Sequence, residues 1–173
     1  VEIETDTVLR GYGDVCPLGP FSLPAFGAGA RAGIGELAPH LLGLDPTALG
    51  PLNTVMDTAL LGHPYVKSAI DMACWDLLGK SCGRSVCDLL GGRHGEAVEL
   101  YRAISQRPAA AMADNVAGYR DQGYRKFQLQ VGGDPAEDIA RIRAAAAVLQ
   151  SGETLIADAN TGWRVDDAAR VVK

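Results

Sequence analysis

No apolar run in this chain approaches the roughly 18–20 residues that a membrane-spanning helix needs. The opening Val1-Glu-Ile-Glu-Thr-Asp6 has neither the basic start nor the apolar stretch of a signal peptide. A basic surplus is missing too. The net charge is −5 and the pI is near 5.1, which argues against nucleic acid or an anionic membrane as the main partner. The four cysteines, Cys16, Cys74, Cys82 and Cys87, stand at spacings that match no zinc pattern and no C-x-x-C redox pair. Cys74 lies in a helical apolar stripe, where a thiol behaves as a small hydrophobe, whereas Cys16 lies in a Pro/Gly loop. A reducing, cytoplasmic setting is expected. No strand-to-helix turn carries G-x-G-x-x-G or a P-loop, so nucleotide phosphate is not the expected ligand.

What is present is ordinary globular material: 173 residues, 47% hydrophobic and 21% charged, enough for one or two domains. Val1–Asp6 alternates apolar and acidic residues and Thr7–Val15 continues after a turn, predicting two strands of a small antiparallel sheet. Cys16–Pro24 is punctuated by Pro17, Gly19, Pro20 and Pro24 and reads as a loop. Helices are expected over Ala25–Leu42, from Asp45-Pro46 to about Leu61, and from Pro64 to about Gly79. The last is the strongest, with Val66, Ala69, Ile70, Ala73 and Leu77 in one stripe. Trp75 in this helix is expected to be core. A short helix near Val86–Leu90 ends at Gly91-Gly92.

Beyond Glu96 the pattern changes. Strands are expected over Val98–Ile104, Tyr124–Val131 and Thr154–Ala157, and helices over Pro108–Gln122, Pro135–Gln150 and from Val165 onward. Strand and helix alternating at this period means β/α units and a parallel sheet. Gly132-Gly133-Asp134-Pro135 reads as a tight turn with Asp134 capping the next helix, not as a phosphate site. A closed barrel takes eight such units and about 250 residues. Three parallel strands alone leave an open edge and a bare apolar face, so the sequence reads as a piece of a larger protein.

Two strand ends carry the chemistry. Lys126-Phe-Gln-Leu-Gln-Val-Gly-Gly133 and Ile156-Ala-Asp-Ala-Asn160 are apolar runs closing on polar residues. Side chains two apart share a strand face, so Gln128 and Gln130 point one way, as do Asp158 and Asn160. Parallel strands that deliver polar groups from their C-terminal ends to one place are how a (β/α) barrel builds an active site.

Val66-Lys-Ser-Ala-Ile-Asp-Met-Ala-Cys-Trp-Asp-Leu-Leu-Gly-Lys80, running on through Ser85-Val-Cys-Asp-Leu-Leu-Gly91, resembles the helix signature of the mandelate racemase/muconate lactonizing branch of the enolase superfamily. The two strand ends resemble its Lys-x-Lys-apolar-Gly and Asp-x-Asn motifs. The resemblance implies an α+β capping domain (1–92, first strand missing) followed by the first three β/α units of an incomplete (β/α) barrel (93–173). Cys16-Pro-Leu-Gly-Pro20, His63-Pro-Tyr-Val-Lys67 and Leu100-Tyr-Arg-Ala-Ile-Ser-Gln106 look most like the group of 3-hydroxyproline dehydratases and proline-betaine epimerases. Lys126-Phe-Gln-Leu fits as well, because that group tends to carry Gln at the first motif position. The implied reaction is Mg²⁺-dependent removal of the proton α to a carboxylate, as a racemase, epimerase or dehydratase of a proline-like amino acid. The metal stabilises the enediolate and a lysine acts as base. A small proline-type carboxylate as substrate and a homo-oligomer at full length are further expectations, as is a loop Asp14–Pro20 facing the barrel mouth.

On this alignment Asp158 is the first metal ligand, and Asn160 its neighbour on the same face. Gln128 falls on the first motif lysine and Gln130 on the catalytic base. A carboxamide has no useful basicity, so Gln130 cannot take the α-proton. Lys126 is no substitute, since it stands four residues back, about 13 Å at strand rise. The remaining metal carboxylates and the opposing acid/base have no counterpart here, and the chain as written is expected to be inactive. The alternative is a non-catalytic homologue or remnant acting as a binding or oligomerisation module. Trp163, at the top of the third strand, is placed either to line the site or to pack. His40, His63 and His94 are scattered outside the strand ends and read as structural.

Overall fold

The computed structural model describes residues 1–20 and 23–173, and the chain divides into two compact units, Val1–Glu96 and Ala97–Lys173. In the first, β1 (Glu2–Glu4) pairs antiparallel with β2 (Arg10–Tyr12), with Ile3 opposite Gly11. Both strands are shorter than their alternating patterns. The outward Glu2 and Glu4 straddle Arg10 at 3.3 and 2.7 Å, while Val1 and Ile3 turn to the core. The loop expected over Cys16–Pro24 has no helix or strand in its described part; Phe21 and Ser22 lie outside the described residues.

Four helices follow: α1 (Gly27–Leu41), α2 (Leu49–Ala59), α3 (Pro64–Cys82) and α4 (Val86–Leu89). Leu37, Leu52, Met56, Val66, Ile70 and Cys74 form the core between α1, α2 and α3. The α3 stripe is buried throughout, as its spacing predicts. Burial raises the Cys74 thiol to about 11, so it stays a neutral apolar filler. Trp75 is only half-buried, one helical position off the stripe, and is not core. The expected start of α2 at Pro46 is corrected. Asp45 accepts from the Thr47 N–H at 2.8 Å and the Thr47 hydroxyl at 2.7 Å, closing a turn that delays the helix to Leu49.

The α3 signature has a mechanical role. Asp76 Oδ2 accepts from the Tyr12 N–H at 2.9 Å and from Lys80 Nζ at 2.7 Å, and Lys80 also donates to the Arg10 carbonyl at 2.7 Å. Together they fasten β2 onto α3. Gly13 permits the close approach, because a Cβ there would lie 1.8 Å from the Ala69 carbonyl oxygen. Asn53 donates to Asp71 at 2.8 Å and ties α2 to the same helix.

The second unit is three β/α pairs: β3 (Arg102–Ile104), α5 (Ala109–Asp121), β4 (Lys126–Gln130), α6 (Pro135–Ala147), β5 (Thr154–Asp158) and α7 (Val165–Val171). The sheet is parallel in the order β3-β4-β5. The strand expected from Val98 shrinks to its last three residues. Arg102 already pairs with Phe127, near the start of β4, so earlier residues would face the turn before that strand. Val98, Leu100 and Tyr101 are exposed instead. Phe127 and Leu129 point into a core with Ile104, Met112, Val116, Val131 and Ala145.

One ion pair locks the start of β5. Arg120, near the end of α5, meets Glu153 twice, at 2.6 and 2.8 Å, and the Glu153 side chain is 1% exposed. The Arg120 hydrogen bond outweighs desolvation and holds the Glu153 carboxyl at about 2, against an ordinary 4.5. A depressed carboxyl contributes stability that is complete above the unfolded value and lost as pH falls through the folded one. Urea midpoints are therefore expected to fall as pH drops from about 4.5 toward 2, with a shallower fall in Glu153→Gln. Parallel acid profiles for the two proteins would refute this.

Candidate active site

The register of β4 and β5 sets Gln130 opposite Asp158 and Gln128 opposite Ile156. With Phe127 and Leu129 turned into the core, Gln128 and Gln130 stand on the other face, as the period-2 pattern requires. The carboxylate of Asp158 accepts only, so both carboxamides turn their NH₂ groups toward it. Gln128 Nε2 makes a close hydrogen bond to Asp158 Oδ2, and Gln130 Nε2 reaches the same oxygen at 3.5 Å. That orientation leaves Gln130 Oε1 facing Asn160, whose Nδ2 donates to it at 2.6 Å. The Asn160 N–H closes the ring on Asp158 Oδ1 at 3.0 Å. Asn160 takes a φ of 45°, a left-handed conformation that asparagine tolerates, which turns the chain sharply off the end of β5. Four of the five site residues predicted from sequence thus form one connected group.

Trp163 is placed differently. Its indole N–H donates to Asp138 Oδ2 at 3.0 Å, and its ring packs against the core cluster. Asp138, which the sequence reading did not single out, is 0% exposed. Its Oδ2 also accepts the Gly132 and Gly133 N–H groups at 2.9 and 2.8 Å, and its Oδ1 accepts from Arg141 at 2.8 Å. Burial pushes the Asp138 carboxyl up, but these donors prevail and hold it below the usual carboxylate range. A signal was available: Asp134 already caps α6, accepting from Ala136 and Glu137, which left Asp138 in the first turn without an assigned role.

Gly132 stands between the two strand ends. Its φ is 106°, and a Cβ there would lie 2.4 Å from the Ala159 carbonyl oxygen. Lys126 pairs with Glu99 at 2.7 Å at the opposite end of β4, consistent with its exclusion as a base. No histidine lies in Ala97–Lys173; His63 sits in a left-handed conformation before α3, its Nδ1 3.4 Å from the Tyr65 hydroxyl.

Among the described residues no group of three or more His, Cys, Asp or Glu converges to hold a metal. Magnesium takes near-octahedral oxygen coordination. Asp158 fits one position of such a shell: an anionic oxygen pair at a strand end, oriented by three hydrogen bonds. The chain's own residues do not close the shell.

Residues 1–91 match the family model for the mandelate racemase / muconate lactonizing enzyme N-terminal domain, and residues 111–173 match the enolase C-terminal domain-like model. The chain is 56% identical to a cis-3-hydroxy-L-proline dehydratase of Roseibium aggregatum over 99% of its own length and 47% of that protein's. It is 30% identical to an N-succinyl-L-Arg/Lys racemase of Bacillus cereus, covering 95% of this chain and 44% of the relative. A crystal structure of an enolase-superfamily member from Roseovarius nubinhibens, complexed with magnesium, superposes with a TM-score of 0.92 at 47% identity, over 98% of this chain and 47% of that one. The chain spans about half the length of the curated relatives it matches. Its architecture is accordingly a capping domain and the first β/α units of a barrel. The chain belongs to the mandelate racemase/muconate lactonizing enzyme family of the enolase superfamily.

Proposed function

We propose that this chain forms the cap and first barrel strands of a magnesium-assisted dehydratase acting on a 3-hydroxyproline-type amino acid. The observation that carries the reading is Asp158, fixed at the end of β5 by Gln128 and Gln130, in a chain so similar to a cis-3-hydroxy-L-proline dehydratase. Bound magnesium would act as a Lewis acid on the substrate carboxylate and lower the cost of charge at the α-carbon. Asp158 would supply one oxygen ligand. Gln128 and Gln130 hold that ligand in orientation, and Asn160 locks Gln130 in turn.

Gln130 bears on the type of reaction. Epimerisation removes a proton from one face of the α-carbon and returns one to the other, which calls for a base on each side. Dehydration removes the α-proton from one face and expels the β-hydroxyl as water, leaving a carbon–carbon double bond. A carboxamide at position 130 removes one face from use. Dehydration through a base on the opposite face, supplied by residues outside this sequence, survives that loss; two-base epimerisation does not. The same observation favours a second reading, a binding module without turnover.

The test uses the polypeptide extended through the remaining barrel strands. Magnesium titration is expected to weaken by about tenfold or more in Asp158→Asn, and cis-3-hydroxy-L-proline should lose water only in the parent protein. Magnesium-dependent binding of the amino acid with neither elimination nor α-deuteration would establish the binding module. Unchanged magnesium affinity in Asp158→Asn would remove the metal assignment.

A further inference from the structure

Arg141 and Asp138 form a hub that the proposed chemistry does not use. Asp138 Oδ2 gathers the Gly132 and Gly133 N–H groups from the loop after β4 and the Trp163 indole from the loop after β5. Its other oxygen meets Arg141, whose Nε donates to the Arg107 carbonyl, in the loop after β3, at 2.9 Å. Arg141 Nη2 is braced by Glu137 at 2.7 Å. All three loops at the C-terminal end of the sheet are therefore tied to one buried carboxylate–guanidinium pair. Gly132 stands two residues past Gln130, and Trp163 three past Asn160.

We propose that Asp138 is a positioning residue: by tying the loops after β4 and β5 together, it sets Gln130 against Asp158 and Asn160. Helix capping does not account for it, because Asp134 already fills that role. A buried carboxylate satisfied on both oxygens fixes one arrangement of its donors, since any other leaves charge or N–H groups unpaired. Here the donors to Oδ2 are two backbone amides and one indole, each with one direction available, and Arg141 holds Oδ1. The separation of the strand ends follows from where that carboxylate sits.

This inference rests on the proposed function only in treating the Gln128–Asp158–Asn160 group as the reacting end, and its test needs neither metal nor substrate. The side-chain amide resonances of Gln128, Gln130 and Asn160 are followed by ¹H–¹⁵N NMR in the polypeptide extended through the remaining barrel strands, with no metal or substrate added. In Asp138→Asn the Gln130 and Asn160 signals are expected to move toward free-amide positions, with exchange at the Gly132 and Gly133 amides faster by about tenfold or more. Glu153→Gln, which breaks the buried pair at the far end of β5, should leave those side-chain signals in place. A merely stabilising role predicts the same spectrum for both variants. Trp163→Phe keeps an aromatic group against the core but removes the indole donor together with the five-membered ring; it should shift Asn160 while core methyl signals away from position 163 hold. Should Asp138→Asn fail to fold, Trp163→Phe decides alone. Unmoved Gln130 and Asn160 amides in a folded Asp138→Asn, or an unmoved Asn160 in Trp163→Phe, overturn the proposal. Weak magnesium binding with an intact amide network would count against the function alone.

Discussion

Gln130→Lys, in a polypeptide carrying the rest of the barrel, is expected to raise exchange of an α-proton presented to the position-130 face of a proline-type substrate by roughly 10²- to 10⁴-fold, the usual contribution of a positioned general base, against a parent with no base on that face. Position 130 has what a base needs except basicity. It lies at the C-terminal end of β4, in register with Asp158, and on the face turned away from the Phe127–Leu129 core. Its present Nε2 lies 3.5 Å from Asp158 Oδ2. A lysine ammonium there would pair with the carboxylate until a metal engages it, so the gain should depend on magnesium and grow as pH rises toward the lysine range. Loss of the α-proton signal in deuterated buffer measures it. No gain with any proline derivative would show that the base position or the substrate class is assigned wrongly.

Gly132→Ala is expected to cost roughly 2–6 kcal/mol of stability, combining a side chain forced to positive φ with an overpacked contact. The φ is 106°, and the new Cβ would lie within 2.4 Å of the Ala159 carbonyl oxygen. Ala159 lies between Asp158 and Asn160, so relief of the clash must move the end of β5 or the loop after β4. Either movement stretches the Gln130–Asn160 hydrogen bond. A lower urea midpoint together with displaced Gln130 and Asn160 amide signals is the expected result. A midpoint within experimental scatter of the parent would mean that the turn has another way to accommodate a side chain.

Several of these features were legible in the residues alone. Period-2 alternation in Lys126–Gln130 placed Phe127 and Leu129 on one face and the glutamines on the other, because strand geometry leaves no choice. The α3 stripe was equally firm, since helical spacing and burial agreed at each position from Val66 to Leu77. Strand lengths were not legible: β3 begins only where it meets its partner, at Arg102 opposite Phe127, and alternation carries no information about the partner. Asp45-Pro46 looked like a helix start because a cap and an Asx turn use the same side chain for the same kind of bond. Asp138 and the Arg120–Glu153 pair escaped notice for a shared reason. Their partners lie on other loops and helices, and a charge in sequence reads as solvated until the fold encloses it.

The Asp138–Arg141 hub grips two of its three loops through main-chain atoms, the Gly133 amide and the Arg107 carbonyl among them. A loop held by its backbone is held whatever most of its side chains are. An exposed residue such as Arg107, held through its carbonyl, is therefore open to replacement without loosening the frame beneath it. Such an arrangement lets the loop side chains drift over evolutionary time while Asp158, at the end of β5, keeps its place.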